Sequence, residues 1–159
     1  MSFWKKVKVL KIKYKVLKHA ENLPKIQYQT QGSSGLDLYS ANRKPIDFSS
    51  LERVSVPTGI CLSIPAGHEA QIRPRSGLFI KNGISANFGT IDSDYRGEIL
   101  VLLINLSNNN FIIERGMRIA QIVFQKIEKI NLELSNDLDK TTRGQKGFGS
   151  TGIKEDKLW

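Results

Sequence analysis

The sequence has almost none of the residues that disulfide or soft-metal chemistry needs. Cys61 is its only cysteine, and His19 and His68 are its only histidines, in 159 residues. Neither a disulfide framework nor a Cys/His zinc site can be assembled from them. Cys61 lies in an apolar run, GICLSI (59–64), and reads as a buried thiol; any metal is then a hard, oxygen-seeking ion. No apolar run approaches the roughly 18 residues of a membrane span. The N-terminus alternates lysine with apolar residues instead of offering the continuous apolar core of a secretory signal. Together with the lone thiol, these gaps predict an intracellular, cytoplasmic protein with no membrane partner.

Acid is missing from one end only. Residues 1–20 hold seven lysines and no carboxylate, which leaves the other 139 residues near +2 out of a net +9. The basic character therefore belongs to the N-terminal end and not to the body of the fold. A lysine-lined strand protecting a sheet edge explains it, and weak nucleic-acid contact by the same lysines stays open.

The length suits one domain that buries its own core. LKIKYKV (10–16) alternates strictly and predicts a half-buried strand with Leu10, Ile12, Tyr14 and Val16 on one face. Residues 19–34 are polar and turn-rich and read as a long connection. GLDLYSA (35–41) predicts a short strand whose acid, Asp37, faces water or a ligand. LERVSV (51–56) and GICLSI read as two strands punctuated by Pro57 and Gly59. ILVLLI (99–104) is continuous enough for a strand buried on both faces, and RIAQIVFQKI (118–127) predicts another. Short strands between turns throughout indicate an all-β sandwich or barrel. Residues 131–142 are polar and poorly periodic, as a linker is.

Three segments do not suit plain scaffold. In GTIDSDYRGE (89–98), Gly89 and Gly97 bracket a stretch where the backbone meets something closely or takes φ > 0. Asp92 there is placed either as a general base beside an apolar wall or as an ordinary turn residue. RPRSG (73–77) is either a group of phosphate ligands or a solvated turn. RGQKGFGSTG (143–152) has too little apolar surface for a core: it either wraps a polyphosphate with Phe148 on a base, or is a glycine-rich tail.

Five motifs taken together resemble the trimeric dUTPases: SSGLDLYSA (33–41), PRSGLF (74–79), GTIDSDYRGE (89–98), GMRIAQIVF (116–124) and RGQKGFGSTG (143–152). The resemblance implies a jelly-roll-like (β-clip) subunit with a flexible C-terminal arm, in a homotrimer whose active sites draw on all three chains. It divides the chain into a basic extension (1–9), a dUTPase-like β core (10–130), and a linker with the arm (131–159). It also implies Mg²⁺-assisted hydrolysis of dUTP to dUMP and pyrophosphate, which limits uracil incorporation into DNA and supplies dUMP for dTTP synthesis. Carried over, Asp92 activates the attacking water, and Tyr95 excludes a 2′-hydroxyl. Asp37 holds Mg²⁺ through water. Arg75, Ser76, Gly77 and Gln121 contact phosphates. Asn87 and Gly89 belong to a hairpin that reads uracil. Arg143, Gly149, Ser150 and Thr151 close over the β and γ groups, with Phe148 covering the base.

The chain departs from the family pattern in three places: a shortened NFGTID (87–92), Met117 before the arginine of the fourth motif, and Lys146 in the arm. A dCTP deaminase would use a different acid and lacks this arm. A purely binding protein on the same scaffold would not need Asp37, Asp92 and Arg143 together.

Overall fold

The computed structural model describes residues 9–147. The expectations placed on residues 1–8, and on Phe148, Gly149, Ser150 and Thr151, lie outside them. Two compact units divide the chain, Met1–Lys129 and Ile130–Trp159.

Three antiparallel sheets build the first unit. β1 (Lys13–Val16), β4 (Arg53–Ser63), β8 (Glu98–Asn105) and β6 (Ile84–Ala86) form one, in that spatial order. β2 (Leu36–Tyr39), β10 (Arg118–Lys126), β5 (His68–Arg73) and β7 (Gly89–Ile91) form the second, and β3 (Ile46–Phe48) pairs with β9 (Phe111–Ile113). One continuous apolar core draws Val56, Val101 and Leu103 from the first sheet, Leu38, Ala70 and Ile122 from the second, and Phe48 and Ile113 from the third. The only α-helix among the described residues, α1 (Ser76–Asn82), ends on Gly83 at φ +70, the usual left-handed stop. No helix among the described residues is long and apolar enough to cross a membrane.

The all-β reading holds, and the differences from it have physical causes. The two strands expected around Pro57 and Gly59 are one, β4. Pro57 stays in the ladder opposite Leu100, and the register slips between Pro57 and Cys61, so the irregular residues make a bulge instead of a break. ILVLLI is not buried on both faces. Ile99, Val101 and Leu103 are buried, while Leu100 and Leu102 are about half exposed; a continuous apolar run hides a period-2 burial. The first strand begins only at Lys13, and all four of its residues are exposed. Its apolar positions complete the edge of a sheet without entering the core. Cys61 is partly exposed instead of buried.

Within the second unit, residues 130–147 form neither helix nor strand. Arg143 and Lys146 close a turn on each other: the Arg143 Nε–H donates to the Lys146 carbonyl at 3.1 Å, and the Lys146 N–H returns to the Arg143 carbonyl at 3.2 Å.

At the β4 bulge, Gly59 takes φ +67, and a Cβ there would lie 2.0 Å from the Ala20 Cβ. Gly59→Ala would meet both a left-handed backbone and a clash, so it should cost about 2–4 kcal/mol. A denaturant midpoint unchanged from wild type would show that the bulge relaxes freely.

Candidate active site

Asp37 sits in the middle of β2 opposite Gln121 of β10, and Gln121 lies opposite Arg73 of β5. Antiparallel pairing therefore puts Asp37, Gln121 and Arg73 in one row on one face of the second sheet. Of the two expectations for this acid, water or a ligand, open water is not what it meets. It is 8% exposed, and both carboxylate oxygens are engaged. Arg75 Nε donates to one at 3.0 Å and Arg118 Nη1 to the other at 3.3 Å. The Arg75 Nη1–H also donates to the Arg118 carbonyl at 3.2 Å. Arg75 thus ties the segment after β5 to the head of β10.

Around this cluster lies a cavity of about 340 Å³, walled by Asp37, Arg75, Ser76, Gly77, Arg118 and Gln121, with Gln29 and Ser33–Ser34 on the loop side. Ser76 and Gly77 open α1, where backbone N–H groups have no intrahelical partner. Gln121 is held by donating its amide to the Pro74 carbonyl at 3.0 Å. Its side chain passes over Gly35, where a Cβ would come within 2.4 Å of Gln121 Oε1. That glycine is needed for Gln121 to point as it does. Arg73, grouped with Arg75 in the sequence, turns away and donates to Gln71 Oε1 at 2.8 Å.

The Asp92 region is a separate, self-braced turn. Its expected hairpin is absent: β6 pairs with β8, while β7 pairs with β5, so the segment around Asn87 and the turn after Ile91 both cross between sheets. Arg96 holds the turn, its Nη1 donating to the carbonyls of Ser93 at 2.6 Å and Tyr95 at 2.9 Å. Tyr95 folds back over Gly97, where a Cβ would meet the phenol oxygen at 2.4 Å, and donates to the Glu98 carbonyl at 2.9 Å. The close approach anticipated at Gly97 is the Tyr95 ring. Gly89 meets only ordinary contact from Ile72.

Glu98 fixes the base of this turn by accepting from the Gly59 N–H at 2.7 Å and bonding His19 Nε2 at 2.9 Å. Asp92 and Tyr95 line a second cavity of about 330 Å³ with Thr90, Leu100 and Leu102. Asn87 is exposed, its backbone N–H is taken by the Leu102 carbonyl at 2.8 Å, and its side-chain amide donates to the Phe88 carbonyl at 3.1 Å.

Within one chain, then, Asp37, Arg75, Ser76, Gly77 and Gln121 converge, and Asp92 and Tyr95 converge elsewhere. Ile91 stands opposite Ala70, whereas Arg75 lies beyond the other end of β5; about 10 Å of strand separates Ala70 from Arg73. Arg143 belongs to the second unit. Sequence reading assigned no role to Arg118, Glu98 or His19. Arg118 stands in a quoted motif, where its charge and its place at a strand head were the available signal; His19 gave none.

A family model described as dUTPase matches residues 21–152. The chain is 56% identical over 134 residues to a deoxyuridine 5′-triphosphate nucleotidohydrolase of Rickettsia canadensis, covering 83% of this chain and 89% of that protein. To the Rickettsia akari protein of the same name it is 51% identical over 148 residues, covering 91% and 99%. Its fold matches a Staphylococcus bacteriophage 80alpha dUTPase solved with dUPNHPP at a TM-score of 0.82 and 24% identity, over 91% of this chain and all of that one. It also matches a mutant dUTPase of phage phi11 of S. aureus, described for its coordination of a structural Mg(II) ion, at a TM-score of 0.74 and 19% identity, over 82% of this chain and 100% of that one.

Asp37→Asn would leave two adjacent guanidiniums without the charge between them. Because the arginines are partly solvated, the expected loss of stability is about 1–3 kcal/mol rather than the full value of a buried pair. An unchanged unfolding midpoint would show that the two ion pairs contribute nothing net.

Proposed function

The chain belongs to the dUTPase family and is an enzyme that hydrolyses dUTP to dUMP; we propose that it does so in a homotrimer, by Mg²⁺-assisted attack of water on the α-phosphorus. The observation that carries the mechanism is the Asp37–Arg75–Arg118 cluster, which turns two guanidiniums, a hydroxyl and first-turn amides into one polar cavity. Triphosphate oxygens are the ligands that such donors suit.

Mg²⁺ is tested by the donor set. Both Asp37 oxygens are already bonded, and no group of three metal-ligating side chains occurs among the described residues, so there is no cage for a bare ion. The residues fit Mg²⁺ that arrives on the triphosphate and keeps most of its waters, with Asp37 bonding that water shell. When bound, it supplies neutralisation of charge on the phosphate oxygens.

The chain's own groups do the rest. Asp92 accepts the proton of the attacking water, and its exposure in a braced turn leaves room for that water. Tyr95, held flat over Gly97, stacks against deoxyribose and occupies the place of a 2′-hydroxyl. Arg75, Ser76, Gly77 and Gln121 hold phosphates. Asn87 and Gly89 face the base, and Arg143 with Phe148, Gly149, Ser150 and Thr151 closes the site.

Because Asp92 and Arg75 line different cavities of one chain, a complete site needs a second copy. The outward face of β8, where Leu100 and Leu102 are about half exposed beside the Asp92 cavity, supplies apolar surface for that contact. A homotrimer with sites between chains satisfies both observations.

Asp92→Asn should lower kcat for dUTP by at least about 10³-fold with nucleotide binding retained; near-normal turnover would remove Asp92 from the proton transfer. Release from dCTP, dTTP and UTP should stay far below that from dUTP, and excess chelator should abolish it. Asp92→Asn and Arg75→Ala, each inactive alone, should recover about a quarter of wild-type turnover when unfolded and refolded together in equal amounts, because random assembly leaves that share of inter-chain sites intact. No recovery would place the whole site within one chain.

A further inference from the structure

The lysine row at the N-terminal end takes no part in hydrolysis as derived above. Lys11, Lys13 and Lys15 are all exposed and share one phase of the alternation. β1 is the edge of its sheet, paired on one side only, with Lys13 opposite Ser63 and Lys15 opposite Cys61. Between these two strands and the turn after β7 lies a groove of about 310 Å³ with a largely apolar floor that includes Tyr14, Cys61 and Leu62, rimmed by Lys13, Lys15 and Ser63 and, from a different part of the chain, by Arg96. Among the described residues, no acid lines it. Glu98, whose backbone stands opposite Cys61, has given its carboxylate to His19 and the Gly59 N–H. Among the described residues, none of Lys11, Lys13, Lys15 and Arg96 forms an ion pair. Arg96 spends Nη1 on its own turn, which leaves Nε and Nη2 as donors.

Protection of a sheet edge accounts for lysines on β1. It does not account for a third cation facing the same groove from another element, nor for the absence of acid from the lining. Alternate residues of a strand lie about 6.8 Å apart, so Lys11, Lys13 and Lys15 present their charges along a line. A linear row of cations suits a linear polyanion, whereas a lipid surface presents its charges over a plane.

We propose that this groove binds the phosphate backbone of nucleic acid without reading sequence, through Lys13, Lys15 and Arg96, with the Ser63 hydroxyl as a further donor. Lys13, Lys15 and Ser63 lie outside both cavities of the hydrolytic site, whereas Arg96 also braces the Asp92 turn, so only the lysine variant is expected to leave turnover unchanged.

The test is fluorescence anisotropy of the full chain with a short labelled duplex and its single strand, titrated across salt. Lys13→Gln/Lys15→Gln should weaken duplex binding and make the slope of log K against log[salt] shallower by about 1.8, and Arg96→Gln by about 0.9. Arg96→Lys should keep the wild-type slope. The control Lys44→Gln/Lys129→Gln, which removes the same charge elsewhere, should leave it unchanged. Turnover of dUTP by Lys13→Gln/Lys15→Gln should equal wild type, which shows that the variant folds and separates this proposal from the hydrolytic one. The proposal is overturned by wild-type protein that binds neither probe at low salt, by groove variants with an unaltered slope, or by a control that loses as much. Displacement of the duplex by inorganic triphosphate at equal phosphate concentration would reduce the groove to a small-anion pocket. Binding to phosphatidylserine vesicles with the same sensitivity to the variants would assign it to membranes; either result also overturns the proposal.

Discussion

A carboxylate shared by two guanidiniums sets the geometry of the cavity that Arg75, Ser76, Gly77 and Gln121 line. Asp37 is the most buried of the three, its side chain 11% exposed against 27% for Arg75 and 47% for Arg118. A charge that deep must be matched, and its partners come from the head of the neighbouring β10 and from the segment after β5, the next strand in the sheet. The match fixes Arg75 at the mouth of the cavity, and the Arg75 bond to the Arg118 carbonyl aligns the head of β10. Two cations share one anion, so the cluster keeps a net positive charge toward the cavity. That surplus is what a polyphosphate would meet, while the paired carboxylate keeps the two guanidiniums from repelling one another apart.

Much of this was legible from residues because charge and glycine stand out against β-strand background. Asp37 within LDLY, the Arg75–Gly77 run and the Asp92 turn were all found as anomalies, and the short-strand pattern gave the all-β class. What could not be read was pairing. Whether Pro57 and Gly59 break a strand or bulge it depends on the partner strand, and β8 supplies one across both halves. ILVLLI carries apolar side chains on both faces, so its sequence cannot say which face the chain itself covers. The hairpin around Asn87 was implied by the family resemblance alone; the sheet assignments show that the segment crosses between layers. Arg118 needed Asp37 as its partner before its position meant anything.

The Asp92 turn is built on a different principle. Among the described residues, no carboxylate–guanidinium pair holds it. Arg96 donates to its carbonyls, the Tyr95 hydroxyl reaches the Glu98 carbonyl, and Glu98 anchors the base of the turn to the bulge at Gly59 and to His19. The bulge that interrupts the ladder of β4 thereby frees a backbone N–H for Glu98, so an irregularity in the scaffold becomes a support for the turn. Each of the two clusters is held by contacts within its own chain.

The glycines separate what the chain demands from what it leaves open. Gly35, Gly59 and Gly97 are fixed by internal neighbours: a Cβ would strike Gln121, Ala20 or Tyr95. Gly77 is not. Among the described residues, nothing lies within 4 Å of a Cβ built there, at the second position of α1. Gly89 meets only ordinary contact. No contact among the described residues requires glycine at 77. It stands in the wall of the Asp37–Arg75 cavity, and the open space beside its backbone is what the phosphate contact proposed for it would use.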